Sequence, residues 1–181
     1  MEFVALTDQQ LNSLAKEDPC LKEIYYGTVP CDRLPKSAVK HRPRAYIVNT
    51  DPHDKPGQHW IALWTQNNVY EVMDSYGFPF DHYPQAKPLK EWVTKHWKYA
   101  VTIRRSLQGL HSQACGHYAI LYLKLKAQGG TLQDFLNCFS LYDRVQDDHD
   151  VGQILKQVIQ SIVSDMPRGG QQTCTSMHCC I

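Results

Sequence analysis

The sequence predicts an α+β fold, and three observations carry that prediction. Two apolar runs, 59–65 and 69–74, flank the polar pair Asn67-Asn68 and read as a β-hairpin. A longer apolar run starts at Cys115 and stops at Gly129-Gly130, as a buried helix would. Apolar residues then recur at helical spacing over Val151, Ile154, Leu155, Val158, Ile159 and Ile162. A chain of 181 residues, 43% hydrophobic and 20% charged, is ordinary for one soluble domain with a sizeable core.

The elements follow in order. Thr7-Asp-Gln-Gln10 has the form of a capping box opening a short helix with Leu6, Leu11 and Leu14 inward, and Pro19 ends it. Residues 20–43, holding Pro30, Pro35 and Pro43, read as an irregular wrap with short elements. Strands are expected near 44–50, 59–65 and 69–74. A helix near 85–98 sets Leu89, Trp92, Val93 and Trp97 close to one face. A strand at 100–105 leads into a loop, and the central helix occupies about 115–127. Thr131 caps a short helix reaching Cys138, and Asp147 or Asp148 starts the last helix. The domain is expected to span 1–166, with 167–181 a flexible, cysteine-containing tail. There are no internal repeats.

Composition narrows the function classes. The N-terminus shows neither a basic leader nor a signal-length apolar run, and no stretch approaches the roughly 18 apolar residues of a membrane span. The expectation is an intracellular protein, not secreted, with no membrane partner. Seven scattered cysteines then imply reduced thiols. Cys174, His178, Cys179 and Cys180 lack a paired knuckle, so no metal site is assigned. A prenylation signal fails because the fourth residue from the end is His178. The formal net charge of +1 decides little. Local basic clusters, Lys36, Lys40, His41, Arg42 and Arg44 and then Lys90 through Arg105, suit phosphate binding and solvated faces equally well.

The chemistry centres on Cys115. A thiol in the first turn of a buried helix sits at the positive end of the helix dipole, where a thiolate is favoured. The plainer alternative is a small core hydrophobe. His59 opens the first hairpin strand and Asp74 closes the second, so imidazole and carboxylate can meet as a base and its orienting acid. Glu71 is a rival acid, although strand alternation sends it to the opposite face. Gln108, seven positions before Cys115, can stabilise an oxyanion together with the backbone N–H at Cys115, and Gln113 is a rival donor. The order His, acid, Gln, Cys-Gly is far more restrictive than any one member.

That order and its local words resemble adenain, the adenovirus maturation protease, and its viral and transposon-borne relatives. The family pattern runs His-Trp, an acid followed by aromatic-Gly-Phe, Gln-Gly, and Ala-Cys-Gly. Here these are His59-Trp60, Asp74 with Tyr76-Gly77-Phe78, Gln108-Gly109 and Ala114-Cys115-Gly116. Tyr26-Gly27-Thr28 and the strand Tyr46 to Thr50 extend the likeness, which covers roughly residues 20–130. The chain departs from the pattern in using Asp74 where adenovirus enzymes generally have Glu. It also has no cysteine on the stretch Lys98–Arg105, where those enzymes bond covalently to an activating peptide.

The resemblance implies a papain-like cysteine protease core of the adenain type. In it a central mixed β-sheet is packed by helices, and the nucleophile stands at the N-terminus of a central helix. It implies a cysteine endopeptidase, a viral maturation protease cleaving structural or precursor proteins at sites with Gly near the scissile bond. His59, Asp74, Gln108 and Cys115 would be its catalytic residues. It implies no required cofactor, activation by DNA or a peptide, a monomer, and residence in the host nucleus and virion. Two alternatives stand beside it: a protease for ubiquitin or SUMO-type modifiers cutting after Gly-Gly, and a catalytically silent binding module of the same fold. Pro167-Arg-Gly-Gly170 also offers an imperfect match to the family's cleavage preference, beside the plainer reading of a frayed terminus.

Overall fold

An eleven-residue run from Cys115 to Leu125 that is buried on every side can fold only as a helix walled in by other elements. That helix is α3 (Cys115–Ala127). Gly129, at a positive φ of 89°, turns the chain back so that the Gly130 N–H meets the Leu125 carbonyl at 2.9 Å. The computed structural model describes residues 4–164. The tail expected at 167–181, its Cys174, His178, Cys179 and Cys180, and the Gly169-Gly170 motif lie outside the described residues.

The sheet supplies one wall. Its five strands run in the order β1 (Tyr25–Pro30), β2 (Arg44–Asn49), β3 (Trp60–Gln66), β4 (Val69–Met73) and β5 (Tyr99–Thr102). The pairs β2/β3 and β3/β4 are antiparallel, whereas β1/β2 and β4/β5 are parallel, so the sheet is mixed. Period-two alternation sends Ala45, Ile47, Ala62, Trp64 and Met73 towards α3, with Tyr118, Tyr122, Phe135 and Leu155. Tyr46, Val48, Ile61, Leu63 and Val72 face the other way, onto Leu89, Val93 and Trp97 of the α2 region. With both faces covered, β2 and β3 read as nearly unbroken apolar runs.

Helices α1 (Asp8–Glu17), α4 (Leu132–Asn137) and α5 (Arg144–Ser164) complete the enclosure of α3, and α2 (Lys87–His96) covers the far face. The capping box is present: Thr7 accepts from the Gln10 N–H at 3.2 Å, and Gln10 accepts from the Thr7 N–H at 2.9 Å. Charges buried in this layer are paired. The Lys124 ammonium of α3 donates to Asp18, whose other oxygen accepts from the N–H groups of Cys20 and Leu21. The Arg105 guanidinium donates to the carbonyls of Leu136, Phe139 and Ser140, fixing the end of α4 against the chain that leaves β5. The architecture is α+β, a mixed sheet packed by helices with Cys115 at the start of the central one, as the sequence predicts.

The structure revises several boundaries. The expected irregular wrap contains β1, an edge strand, where Gly27 and Pro30 are tolerated because one side of the strand carries no ladder. Two 3₁₀ turns, Phe80–His82 and Pro84–Ala86, precede α2, whose Pro88 suits only its first turn. Helix α5 starts at Arg144, before Asp147, because Asp147 is needed inside it to hold the Ser140 N–H at 2.6 Å. Cys31 and Cys115 are free thiols, but Cys20 and Cys138 are disulfide-bonded. The expectation of reduced thiols throughout is therefore corrected at these two positions; sequence spacing does not report which sulfurs meet in space. No helix among the described residues is long and apolar enough to cross a membrane.

Two glycines at positive φ separate backbone strain from steric overlap. Gly129 (φ 89°) has nothing within 4 Å of an added Cβ, whereas at Gly77 (φ 71°) that atom falls 2.7 Å from the Arg105 carbonyl carbon. Gly129→Ala should cost roughly 1–2 kcal/mol from conformation alone. Gly77→Ala should cost roughly 3 kcal/mol or more, because backbone must also move. Urea unfolding of the two variants checks this, and equal midpoints would remove the overlap argument.

Candidate active site

The hairpin fixes the first two groups. Thr50 N–H bonds the His59 carbonyl at 2.9 Å, just before β3 begins, so His59 is held at the strand mouth. Asp74 follows the last residue of β4. Their side chains meet there, His59 Nε2 to Asp74 Oδ1 at 2.8 Å, and both are buried. Asp74 Oδ1 also accepts from the Tyr76 N–H at 2.9 Å, and its Oδ2 accepts from the Tyr83 hydroxyl at 2.7 Å. Every oxygen of this buried carboxylate is thus bonded, as burial of a polar group requires.

Cys115 comes from the other side, as the first residue of α3. The N–H groups of Cys115 and Gly116 at that mouth have no intrahelical acceptor, and they give it its partial positive charge. The Cys115 thiol lines the same cleft as His59 and is near enough to favour the imidazolium. Since Nε2 is taken by Asp74, Nδ1 is the ring nitrogen left for the sulfur. Burial opposes the imidazolium, but the bonds to Asp74 and Cys115 and their negative charges outweigh it and push His59 up to about 9. The rings of Tyr76 and Tyr83 stack on the imidazole at centroid distances of 4.8 and 5.7 Å.

Gln108 is buried and reaches this group through its neighbours. Its Oε1 accepts from the Ser75 hydroxyl at 2.6 Å, and the Ser75 carbonyl accepts the N–H groups of Leu107 and Gln108. Its Nε2 donates to the Ser112 carbonyl at 2.7 Å and, more loosely, to the Tyr76 hydroxyl at 3.3 Å. One hydrogen is therefore committed to the loop, and the other is weakly engaged beside the tyrosine that stacks on His59. The rival residues stand elsewhere. Glu71 accepts from the Tyr122 hydroxyl at 2.7 Å and from Lys126 at 3.0 Å, along α3. Gln113 is exposed, and its Oε1 accepts from the Ala5 N–H at 3.3 Å.

Sequence reasoning missed the residues that hold the group in place. Tyr83 had no motif to mark it. Tyr76 and Ser75 lay inside a recognised word, but only as an aromatic and a filler. Asp148, read as a helix start, lies within α5 and grips the 108–112 loop instead. It accepts from the Gly109 N–H at 3.1 Å and from the Tyr118 hydroxyl at 3.0 Å. Burial pushes its carboxyl above the usual range against the pull of these bonds. No group of three or more His, Cys, Asp or Glu among the described residues is placed to hold a metal ion. Cys115, His59 and Tyr76 face a cleft of about 600 Å³ that continues past the ends of β1 and β2.

No protein-family profile matches the chain. Among curated proteins it is similar to the protease of snake adenovirus serotype 1, at 30% identity over 119 residues, covering 57% of this chain and 56% of that protein. It is also similar to the protease of bovine adenovirus 4, at 26% identity over 110 residues, covering 55% of this chain and 54% of that one. The matches thus span about half the length of these relatives. Among solved structures, an ASFV protease aligns with a TM-score of 0.49 and 15% identity, covering 81% of this chain and 64% of that one. The adenovirus relatives bear out the resemblance drawn from the residues.

The raised His59 has a consequence for stability. Its value in the folded chain, about 9, lies above the ordinary 6.5, so its contribution is fully present below pH 6.5 and lost as pH rises through 9. The stability gap between the wild type and His59→Gln should therefore shrink from pH 6.5 to 9. Chemical unfolding at stepped pH measures this, and a constant gap would contradict the ion-pair reading.

Proposed function

We propose, from kinship with the adenovirus proteases, that this chain is a cysteine endopeptidase whose catalytic residues are Cys115, His59, Asp74 and Gln108. The observation that carries the reading is the buried line Cys115–His59–Asp74, closed by the 2.8 Å bond between imidazole and carboxylate. In this reading His59 takes the proton of the thiol, and the sulfur attacks the scissile carbonyl carbon. The resulting oxyanion is met by the Cys115 N–H and the loosely engaged Gln108 Nε2 hydrogen. As the C–N bond breaks, His59 returns its proton to the leaving amine, leaving a thioester on Cys115. Water, deprotonated by His59, then cleaves the thioester and releases the acid and the free thiol. Asp74 holds the ring in one tautomer and stabilises its cation.

The substrates proposed are viral structural or precursor proteins with Gly near the scissile bond, cut by a monomer in the host nucleus or virion. DNA, held by the Lys36–Arg44 and Lys90–Arg105 clusters, or a peptide would act as activator. Support for these finer points is the family likeness and the basic composition alone.

A panel of Gly-containing peptides, with an electrophilic Gly-Gly probe, tests the reading. Cys115→Ala should abolish cleavage and labelling with the fold intact, and His59→Ala should be nearly as damaging. Asp74→Asn should cost less than either yet more than Glu71→Gln. Gln108→Ala should lower turnover about 10²-fold with little change in binding, whereas Gln113→Ala should not. Asp148→Asn, which only loosens the loop, should lower kcat by roughly tenfold and leave KM unaltered. Wild-type labelling no faster than a free thiol would instead favour a silent binding module.

A further inference from the structure

The cleft that opens on Cys115 reaches beyond the reacting groups, to Asn49, Asp51, the 52–58 loop and residues 5–8. Asn49 is the last residue of β2 and Asp51 follows two places on; they are only 6% and 4% exposed. What little surface they keep opens into this cleft. Asn49 has its oxygen occupied, since Oδ1 accepts the Asp51 N–H at 2.9 Å. Its Nδ2 donates to no group among the described residues. Gly57 packs closely on this amide: an added Cβ would stand 2.8 Å from the nitrogen, and the φ of 86° there favours glycine. Asp51 is the sharper case: among the described residues its carboxylate accepts no hydrogen bond and forms no ion pair.

A carboxylate this little exposed and without a protein donor can be bonded only from the cleft, by water or by a bound molecule. The neighbouring charges do not supply the bond. His53 is tied to Asp32 at 2.5 Å. Lys55 is exposed and makes no ion pair among the described residues, and Asp8 has the same sign as Asp51. Among the described residues, no cation is paired with Asp51, so a positively charged group entering the cleft would displace only water from it.

We propose that Asn49 and Asp51 form a subsite for a basic residue, Lys or Arg, of the bound substrate. The Asp51 carboxylate receives the cationic head, and Asn49 Nδ2 donates to a main-chain carbonyl beside it. A cation fits better than a bare peptide N–H, because only a full positive charge offsets a desolvated negative one. The inference rests on the peptidase reading and adds a charge preference to it.

The test is a positional-scanning set of Gly-containing peptides carrying Lys, Arg, norleucine or Glu at each position around the scissile bond. Wild type should favour Lys and Arg over norleucine by roughly tenfold or more at one position, mainly through KM, and disfavour Glu there. Asp51→Asn should bring that ratio to about one. Asp51→Lys should invert it towards Glu, an outcome that a folding defect cannot produce. Cleavage without a basic preference, or a preference that survives Asp51→Asn, would overturn the subsite and leave the peptidase reading intact. Fluorescence anisotropy of the same peptides on Cys115→Ala separates the two ideas. Asp51-dependent binding of Lys peptides without wild-type cleavage would keep the subsite and sink the peptidase reading. Equal binding of Lys and norleucine peptides would sink the subsite.

Discussion

The enclosure of α3 is the constraint from which the rest of the architecture follows. A helix that is apolar around its whole circumference has no face for water, so it must be packed on all sides. One sheet cannot do that; it covers one side, and α1, α4 and α5 must cover the others. The same enclosure forces the polar atoms of the helix to find partners inside. Lys124 is carried to Asp18, Lys126 and Tyr122 to Glu71, and Tyr118 to Asp148. Cys115 inherits its place from this arrangement. It is the first residue of the one element that cannot shift without exposing the core, and it faces the ends of β3 and β4.

The candidate site is consequently a junction of four separate segments, and each is cross-braced to the next. The β3–β4 hairpin joins His59 to Asp74. Ser75, the next residue, reaches across to Gln108 through both its hydroxyl and its carbonyl. The 108–112 loop is then held from behind by Asp148 of α5. Placing charged and polar groups in a low dielectric strengthens every satisfied bond and penalises every unsatisfied one. That is why nearly all these atoms have partners, and why the open donors and acceptors along the cleft at Asn49 and Asp51 stand out.

What could be read from the sequence was whatever depends on periodicity or on local order. The hairpin, the buried helix and the amphipathic α5 announced themselves through spacing. His59, Asp74, Gln108 and Cys115 announced themselves through their sequence in the chain and their neighbours. Strand β1 was hidden because Gly27 and Pro30 break the pattern of a strand, and an edge position forgives both. Tyr83 and Asp148 were hidden for a different reason. They act across long separations, and a tyrosine on a loop or an aspartate in a helix carries no local mark of the partner it will meet.

The use of Asp at position 74 shows how such pairings compensate one another. The shorter acid has less reach than the Glu that adenovirus enzymes generally carry, yet it meets His59 Nε2 at 2.8 Å. It can do so because it sits on a braced turn: its own carbonyl takes the Gly77 N–H at 2.8 Å, and its Oδ1 takes the Tyr76 N–H. Tyr83 then occupies Oδ2, so the carboxylate is held at both oxygens and has no second arrangement of equal energy. The imidazole is held as firmly, by the bond at Nε2 and by Tyr76 and Tyr83 stacked on the ring. A ring so fixed has one nitrogen left to offer, and Cys115, held in place by the enclosure of α3, lines the same cleft.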